Sequence, residues 1–351
     1  MKNLLKFIIE NEISNQLIGS SLPYCQQIAN KLPDLYSQLW GFEIDLLSRD
    51  QSCDLLLELK PGTCSWVNYQ FLSHFGNPGS RLVSLFNENS SFLNDIFNIW
   101  FEFDFRDRNS HVAPYSNEFV PSIFIGPSRN PFCYSSSIRA LKLLEQITQF
   151  KSPDVLCEIL SRQHSSELEP FQIGYMYARE KPSYRVVSKN VSKKTSLFEN
   201  YNLSHFALLC NLIDSFSAFE IALGIDIRVD GSVNDLIGLE IYPKWADCTS
   251  INNLFQIISN IPSLLLNFDK VQSIESSLRR INIFSEYNNG TPVLSTNSDS
   301  TFYSHFTDIS LHHIKLAIKD DKIRSCKAYL GILSPQINGY SFDSLSKGKG
   351  W

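Results

Sequence analysis

The stretch Leu311-His312-His313-Ile314-Lys315-Leu316-Ala317-Ile318-Lys319 runs through Asp320-Asp321-Lys322 into Arg324-Ser325-Cys326-Lys327-Ala328-Tyr329-Leu330-Gly331-Ile332, and its reading decides the fold. The first arm alternates. Ile314, Leu316 and Ile318 share one face of a strand, and Lys315, Ala317 and Lys319 share the other. In the second arm Cys326, Ala328, Leu330 and Ile332 form an apolar face, with Lys327, Tyr329 and Gly331 behind it. The charged connection is turn-like, so the stretch predicts a β-hairpin with one greasy face and one polar face. The polar face gathers lysines and a tyrosine, which suits either a bound anion or a wet sheet surface. His312 and His313 occupy adjacent strand positions and are expected on opposite faces, so a two-histidine chelate is not predicted.

Four more pairs of this kind precede the hairpin. They are 54–60 with 65–71, 100–106 with 120–126, 171–179 with 184–189, and 221–229 with 237–244. Helical periodicity fills the intervals: most of 1–50 (with a start at Pro33-Asp34), 80–98, 134–164 broken at Pro153, 201–217, and 250–284 interrupted at Pro262. Residues 288–300 are expected to be a polar loop, and 334–351 a loosely held tail rich in Ser, Gly and Lys. Residues 1–333 then form one domain with a helical N-terminal segment. Strands come in pairs between helices, which disfavours a doubly wound parallel sheet. Ten antiparallel strands in an open sheet leave exposed edges, and closing the sheet removes them. The expected class is α+β: a ten-stranded antiparallel barrel of five hairpins inside a ring of helices. The helices cover the apolar faces, so the polar faces point into the lumen.

Composition sets the outer limits. Aromatic residues make up 13% of 351 positions, including 25 Phe and 14 Tyr, so a large core or apolar pocket is needed to hold them. A net charge of -5 and a pI near 5.8 argue against a nucleic-acid binder. No uncharged run reaches the length of a membrane span. The first residues suit an amphipathic helix better than a signal peptide, because Glu10 and Glu12 interrupt the apolar run. The 8 cysteines are scattered with no CxxC spacing, as expected of buried reduced thiols in a cytoplasmic protein without a zinc site.

The repeated helix–strand–strand plan over roughly 30–333 resembles the ABBA barrel of the aromatic and peptide prenyltransferases. Lys327-Ala328-Tyr329 is similar to the Lys-x-Tyr strands with which that family holds a diphosphate, and Leu57-Glu58-Leu59 is similar to its first-hairpin glutamate segment. The resemblance implies transfer of an allylic isoprenoid group from dimethylallyl or geranyl diphosphate to an aromatic, indole or peptide side-chain acceptor. Mg is required by some members of that group and dispensable in others. Glu58 would orient the acceptor or take its proton.

The inward list fits such chemistry. Lys60, Arg106, Arg185, Arg228, Lys244, Lys315 and Lys327, with Tyr242 and Tyr329, come from all five hairpins. They are the expected diphosphate-binding set, since converging cations stabilise charge on a departing diphosphate. Trp66, Tyr69, Trp100 and Tyr177 are candidate walls for an allylic cation. No Asp-rich metal motif is present, because Asp320-Asp321 continues as Lys-Ile-Arg. Glu102, Asp104, Asp226 and Glu240 also fall on inward faces. They either neutralise part of the pocket, accommodate an amine or guanidine on the acceptor, or mark a barrel that is not catalytic. The alternative function is therefore a binding or partner protein of a natural-product peptide pathway on the same barrel.

Overall fold

A computed structural model describes residues 9, 15–32, 39–50, 52–60, 69–88, 96–105, 120–127, 133–166, 168–177, 181–191, 206–262, 264–288, 291–295 and 304–333. Ten strands close into an antiparallel barrel: β1 (Leu39–Asp45), β2 (Cys53–Leu59), β3 (Ile96–Phe103), β4 (Ser122–Pro127), β5 (Glu169–Met176), β6 (Ser183–Lys189), β7 (Glu220–Arg228), β8 (Val233–Tyr242), β11 (Ser304–Lys319) and β12 (Lys322–Leu333). Each strand pairs with its chain neighbour. Two further seams complete the ring, β8 on β11 (Ile241 opposite Ile314) and β12 on β1 (Ala328 opposite Ile44). Two strands, β9 (Arg279–Asn288) and β10 (Thr291–Ser295), form a hairpin that extends the sheet beside the first half of β11.

Helices lie outside. A short turn at Asn15–Ile18 leads into α1 (Leu22–Ala29). Then come α2 (Gly76–Glu88), α3 (Tyr134–Thr148), α4 (Asp154–Ser165), α5 (Phe206–Ser215), α6 (Cys248–Ser259) and α7 (Phe268–Ser277). Local chemistry starts several of them. Cys133 and Ser136 form a capping box on α3, and Asp247 accepts from the backbone of Thr249 and Ser250 at α6. Pro153 ends one helix interval and sits at the N-cap of α4, as its fixed φ and missing N–H favour.

The core is the shell between barrel and helices. Leu55, Leu57, Phe101, Ile123, Ile125, Ile173 and Val186 face outward and are fully buried there. Each such side chain contributes about 1.5–3 kcal/mol relative to exposure.

Three expectations are corrected. Leu39–Asp45 is strand β1, not helix, because Leu39, Gly41, Glu43 and Asp45 alternate with Trp40, Phe42 and Ile44, and a core lies on only one side. The partner of 53–59 is therefore β1 rather than 65–71; Tyr69–Phe75 is a 3-10 helix, and 65–68 lie outside the described residues. The helical interval 250–284 stops at Ser277, and the polar loop that follows contains the β9–β10 hairpin. The remaining pairs occur with ends shifted by a few residues, and the expected tail 334–351 lies outside the described residues.

The β1–β12 seam is unusually close. A Cβ on Gly41 would lie 2.3 Å from the Leu330 carbonyl oxygen, a backbone atom that cannot swing away. Gly41→Ala is expected to destabilise the barrel by about 1–3 kcal/mol in urea unfolding, as overpacking does; an unchanged midpoint would refute this contact.

Candidate functional site

The inward faces converge as the alternation requires. Arg185 on β6 makes two bonds to Asp226 on β7, at 2.6 Å from Nε and 2.9 Å from Nη2. Burial opposes the Arg185 charge, but Asp226 outweighs it and moves the guanidinium pKa up. Lys315 on β11 lies 3.3 Å from Glu240 on β8, directly across the seam. Burial, aided by the Arg185 charge, lowers the Lys315 pKa. The Tyr242 hydroxyl donates to Glu240 at 2.6 Å. Lys327 and the Tyr329 hydroxyl both bond to Glu43 on β1. Glycines make room for these side chains: the stem of Lys315 runs over Gly238, and the Phe124 ring lies on Gly174.

Arg185, Lys315, Tyr242 and Tyr329 line one cavity of about 60 Å³, together with Trp100, Phe124, Glu102, Glu240, His312 and His313.

Other expected site residues lie elsewhere. Glu58 is buried but is not on the cavity wall; it accepts from Asn98 Nδ2 at 2.6 Å and lies 3.8 Å from Lys60. Arg228 is held by Ser232 in the β7–β8 turn, and Lys244 is exposed beyond β8. Tyr177 is outside the barrel: its hydroxyl donates to Thr148 at the end of α3, and its ring packs on Tyr175. Trp66 and Arg106 lie outside the described residues, and Tyr69 belongs to the 3-10 helix 69–75. Among the described residues no group of three or more His, Cys, Asp or Glu is arranged to hold a metal.

Two groups escaped the sequence reading. Glu43 was hidden by the helical reading of 35–47, although Gly41-Phe42-Glu43-Ile44-Asp45 alternates. The histidines were expected on opposite faces, and that is corrected. The register slips between Leu311 and His313, so a β-bulge brings the two imidazoles together, Nδ1 to Nδ1 at 2.7 Å. His313 stacks on Tyr329 with centroids 3.9 Å apart, and His312 lies near Trp100, Tyr242 and Trp245. Burial drives both pKa values well down; the charge of His313 adds to this for His312, and that of Lys315 for His313.

With this geometry established, comparison with solved structures becomes informative. The crystal structure of AnaPT from Neosartorya fischeri, an aromatic prenyltransferase, superposes with a TM-score of 0.52 at 10% identity, covering 95% of this chain and 92% of that one. The fold is the ABBA barrel. No family model matches the sequence, and no curated protein matches it either. The ABBA barrel in this chain therefore rests on architecture alone.

Two outcomes follow from the paired charges and the histidines. Asp226→Ala leaves Arg185 buried without its partner and should cost about 3–5 kcal/mol in chemical denaturation. The imidazoles have folded pKa values below the unfolded value of about 6.5, so below that pH the unfolded chain binds more protons. Stability should fall as pH drops below about 6.5, by up to about 1.4 kcal/mol per pH unit for each imidazole. A His312→Asn/His313→Asn double variant should flatten that slope; an equally steep slope would refute the buried neutral pair.

Proposed function

We propose that this chain is a prenyltransferase that moves an allylic isoprenoid group from its diphosphate to an acceptor bound in the barrel lumen. The observation that carries this reading is the meeting of Arg185, Lys315, Tyr242 and Tyr329 on one cavity inside an ABBA barrel, with Trp100 and Phe124 as walls. Lys327 lies one inward position from Tyr329 on the same strand and belongs to the same cationic band.

Each part has a physical role. A diphosphate oxygen takes the Lys315 ammonium and the Arg185 fork in exchange for Glu240 and Asp226, and the tyrosine hydroxyls donate further bonds. As the allylic C–O bond breaks, these donors stabilise the charge building on the diphosphate. The faces of Trp100 and Tyr242 stabilise the allylic cation without reacting with it. Glu58 is off the cavity wall, so this reading gives it no contact with a ligand. The cationic side chains meet the diphosphate charge, with no protein-held metal assigned.

The pairing of cations with carboxylates, in a cavity of about 60 Å³, favours one second reading: a non-catalytic binding barrel. Calorimetric titration with a non-hydrolysable dimethylallyl thiodiphosphate, with and without Mg, separates the two. The transferase reading expects micromolar binding that Lys327→Ala or Lys315→Ala weakens at least tenfold, about 1.4 kcal/mol or more. Absence of binding at millimolar ligand, with geranyl and farnesyl analogues included, would overturn it in favour of the binding barrel.

A further inference from the structure

Glu102 differs from the other carboxylates of the lumen. Asp226 holds Arg185, Glu240 holds Lys315 and Tyr242, and Glu43 holds Lys327 and Tyr329. Glu102 is 6% exposed and lines the cavity, yet its side chain makes no hydrogen bond or ion pair among the described residues. The Arg185 and Lys315 charges act on it through space, without a direct contact. Asp104, just beyond the end of β3, adds no compensation. Burial, then the charges of Glu102, Asp54 and Glu43, push the Asp104 carboxyl well up. A carboxylate in such surroundings calls for a cation.

A second, independent group on the same cavity also lacks a partner. His313 is 6% exposed, and its Nε2 is buried with no hydrogen-bond partner. Its Nδ1 is engaged with His312. In the tautomer in which His313 donates from Nδ1, Nε2 presents a lone pair and needs an N–H. One cavity thus holds a carboxylate with no direct partner and an orphaned imidazole nitrogen, both able to accept from a donor, beside Trp100, Tyr242 and Tyr329.

We propose that the cavity binds a guanidinium group, which donates to Glu102 and to His313 Nε2 and stacks on Trp100, and that this group is the prenyl acceptor. Only the word acceptor rests on the transferase reading; the binding site stands without it. The aromatic walls select guanidinium over ammonium. A guanidinium is planar, weakly hydrated and able to stack while it donates within its plane. An ammonium is strongly hydrated and cannot stack, so it gains less from aromatic walls.

In the reaction, a guanidine nitrogen bonds to the allylic carbon as the carbon–oxygen bond breaks. The diphosphate leaves with the electron pair of that bond. One N–H is replaced by N–C, and the displaced proton passes to His313 Nε2, so the product keeps its guanidinium charge. The imidazolium so formed keeps its Nδ1–H donated to His312.

The test is calorimetric titration of the full chain with butylguanidinium, butylammonium and neutral butylurea, on wild type, Glu102→Gln and Glu102→Asp. Butylguanidinium should bind, butylurea should not, and butylammonium should bind at least tenfold more weakly. Glu102→Gln should weaken butylguanidinium at least tenfold, and Glu102→Asp, which keeps the charge, should weaken it less. On 15N-labelled wild type the His313 Nε2 resonance should move as butylguanidinium is added, a readout that needs no variant to fold. Absence of binding at millimolar probe, equal binding of the urea or the ammonium, indifference to Glu102→Gln, or a static His313 resonance would each overturn the proposal. Thiodiphosphate titration alongside separates the two readings. Guanidinium binding without thiodiphosphate binding supports this site and overturns the transferase, whereas the reverse overturns this site alone.

Discussion

Sheet closure at two seams is the constraint from which the rest follows. Once Ile314 lies opposite Ile241 and Ala328 opposite Ile44, no strand of the ring has a free edge, and every second residue of ten strands must face one narrow interior. The outward residues have helices to pack against. The inward ones have only each other, so a charged side chain there must find its counter-charge on a neighbouring strand. Arg185 finds Asp226 one strand over, and Lys315 finds Glu240 across the seam. Arg185 and Asp226 lie on directly paired strands, whereas Glu240 meets Lys315, and Glu43 meets Lys327, only because the ring is closed.

That network shapes the chemistry the barrel can support. Its cations are not waiting in solvent for an anion. Each sits with a carboxylate, so an incoming diphosphate trades partners with groups already bound, and its net gain is smaller than a count of lysines and arginines suggests. The same network leaves one lumen carboxylate, Glu102, with no side-chain hydrogen bond or ion pair among the described residues, and only the through-space charges of Arg185 and Lys315 act on it. The lumen is therefore asymmetric. Cationic side chains gather on β6, β11 and β12, while Glu102 and Asp104, carboxyls without a direct ion pair among the described residues, lie at the end of β3.

How much of this was legible in the sequence depended on the length scale of the signal. Period-two alternation in 314–319, 324–332 and 221–227 identified strands and their inward faces, because one face of each is uniformly apolar. Counting such pairs reached a closed ten-stranded ring, although the count took 65–71 for a strand in the place that β1 fills. Leu39–Asp45 was misread because its outward residues, Trp40, Phe42 and Ile44, are embedded among leucines that also satisfy a helical period. That error concealed Glu43, the partner of both Lys327 and Tyr329. The pairings themselves were not legible. Alternation states which face a residue occupies, whereas Arg185 meeting Asp226 depends on the register of two strands.

The histidine pair shows the same limit more sharply. Strict alternation sends His312 and His313 to opposite faces, and it fails at the one place where β11 changes neighbours. Up to Ile309 the strand pairs with β9, and from Ile314 it pairs with β8. Between these points the segment after β8 passes alongside, with the Ala246 amide donating to Ser310 Oγ at 2.9 Å and the Trp245 ring against Gly331. A strand handed from one partner to another within five residues accommodates its change of path by a bulge, and the bulge falls between Leu311 and His313. The extension hairpin β9–β10, which lies outside the ring, thus helps set where the imidazoles go. Its register with β11 fixes where the first partnership ends, and the bulge that follows turns both rings toward the lumen aromatics.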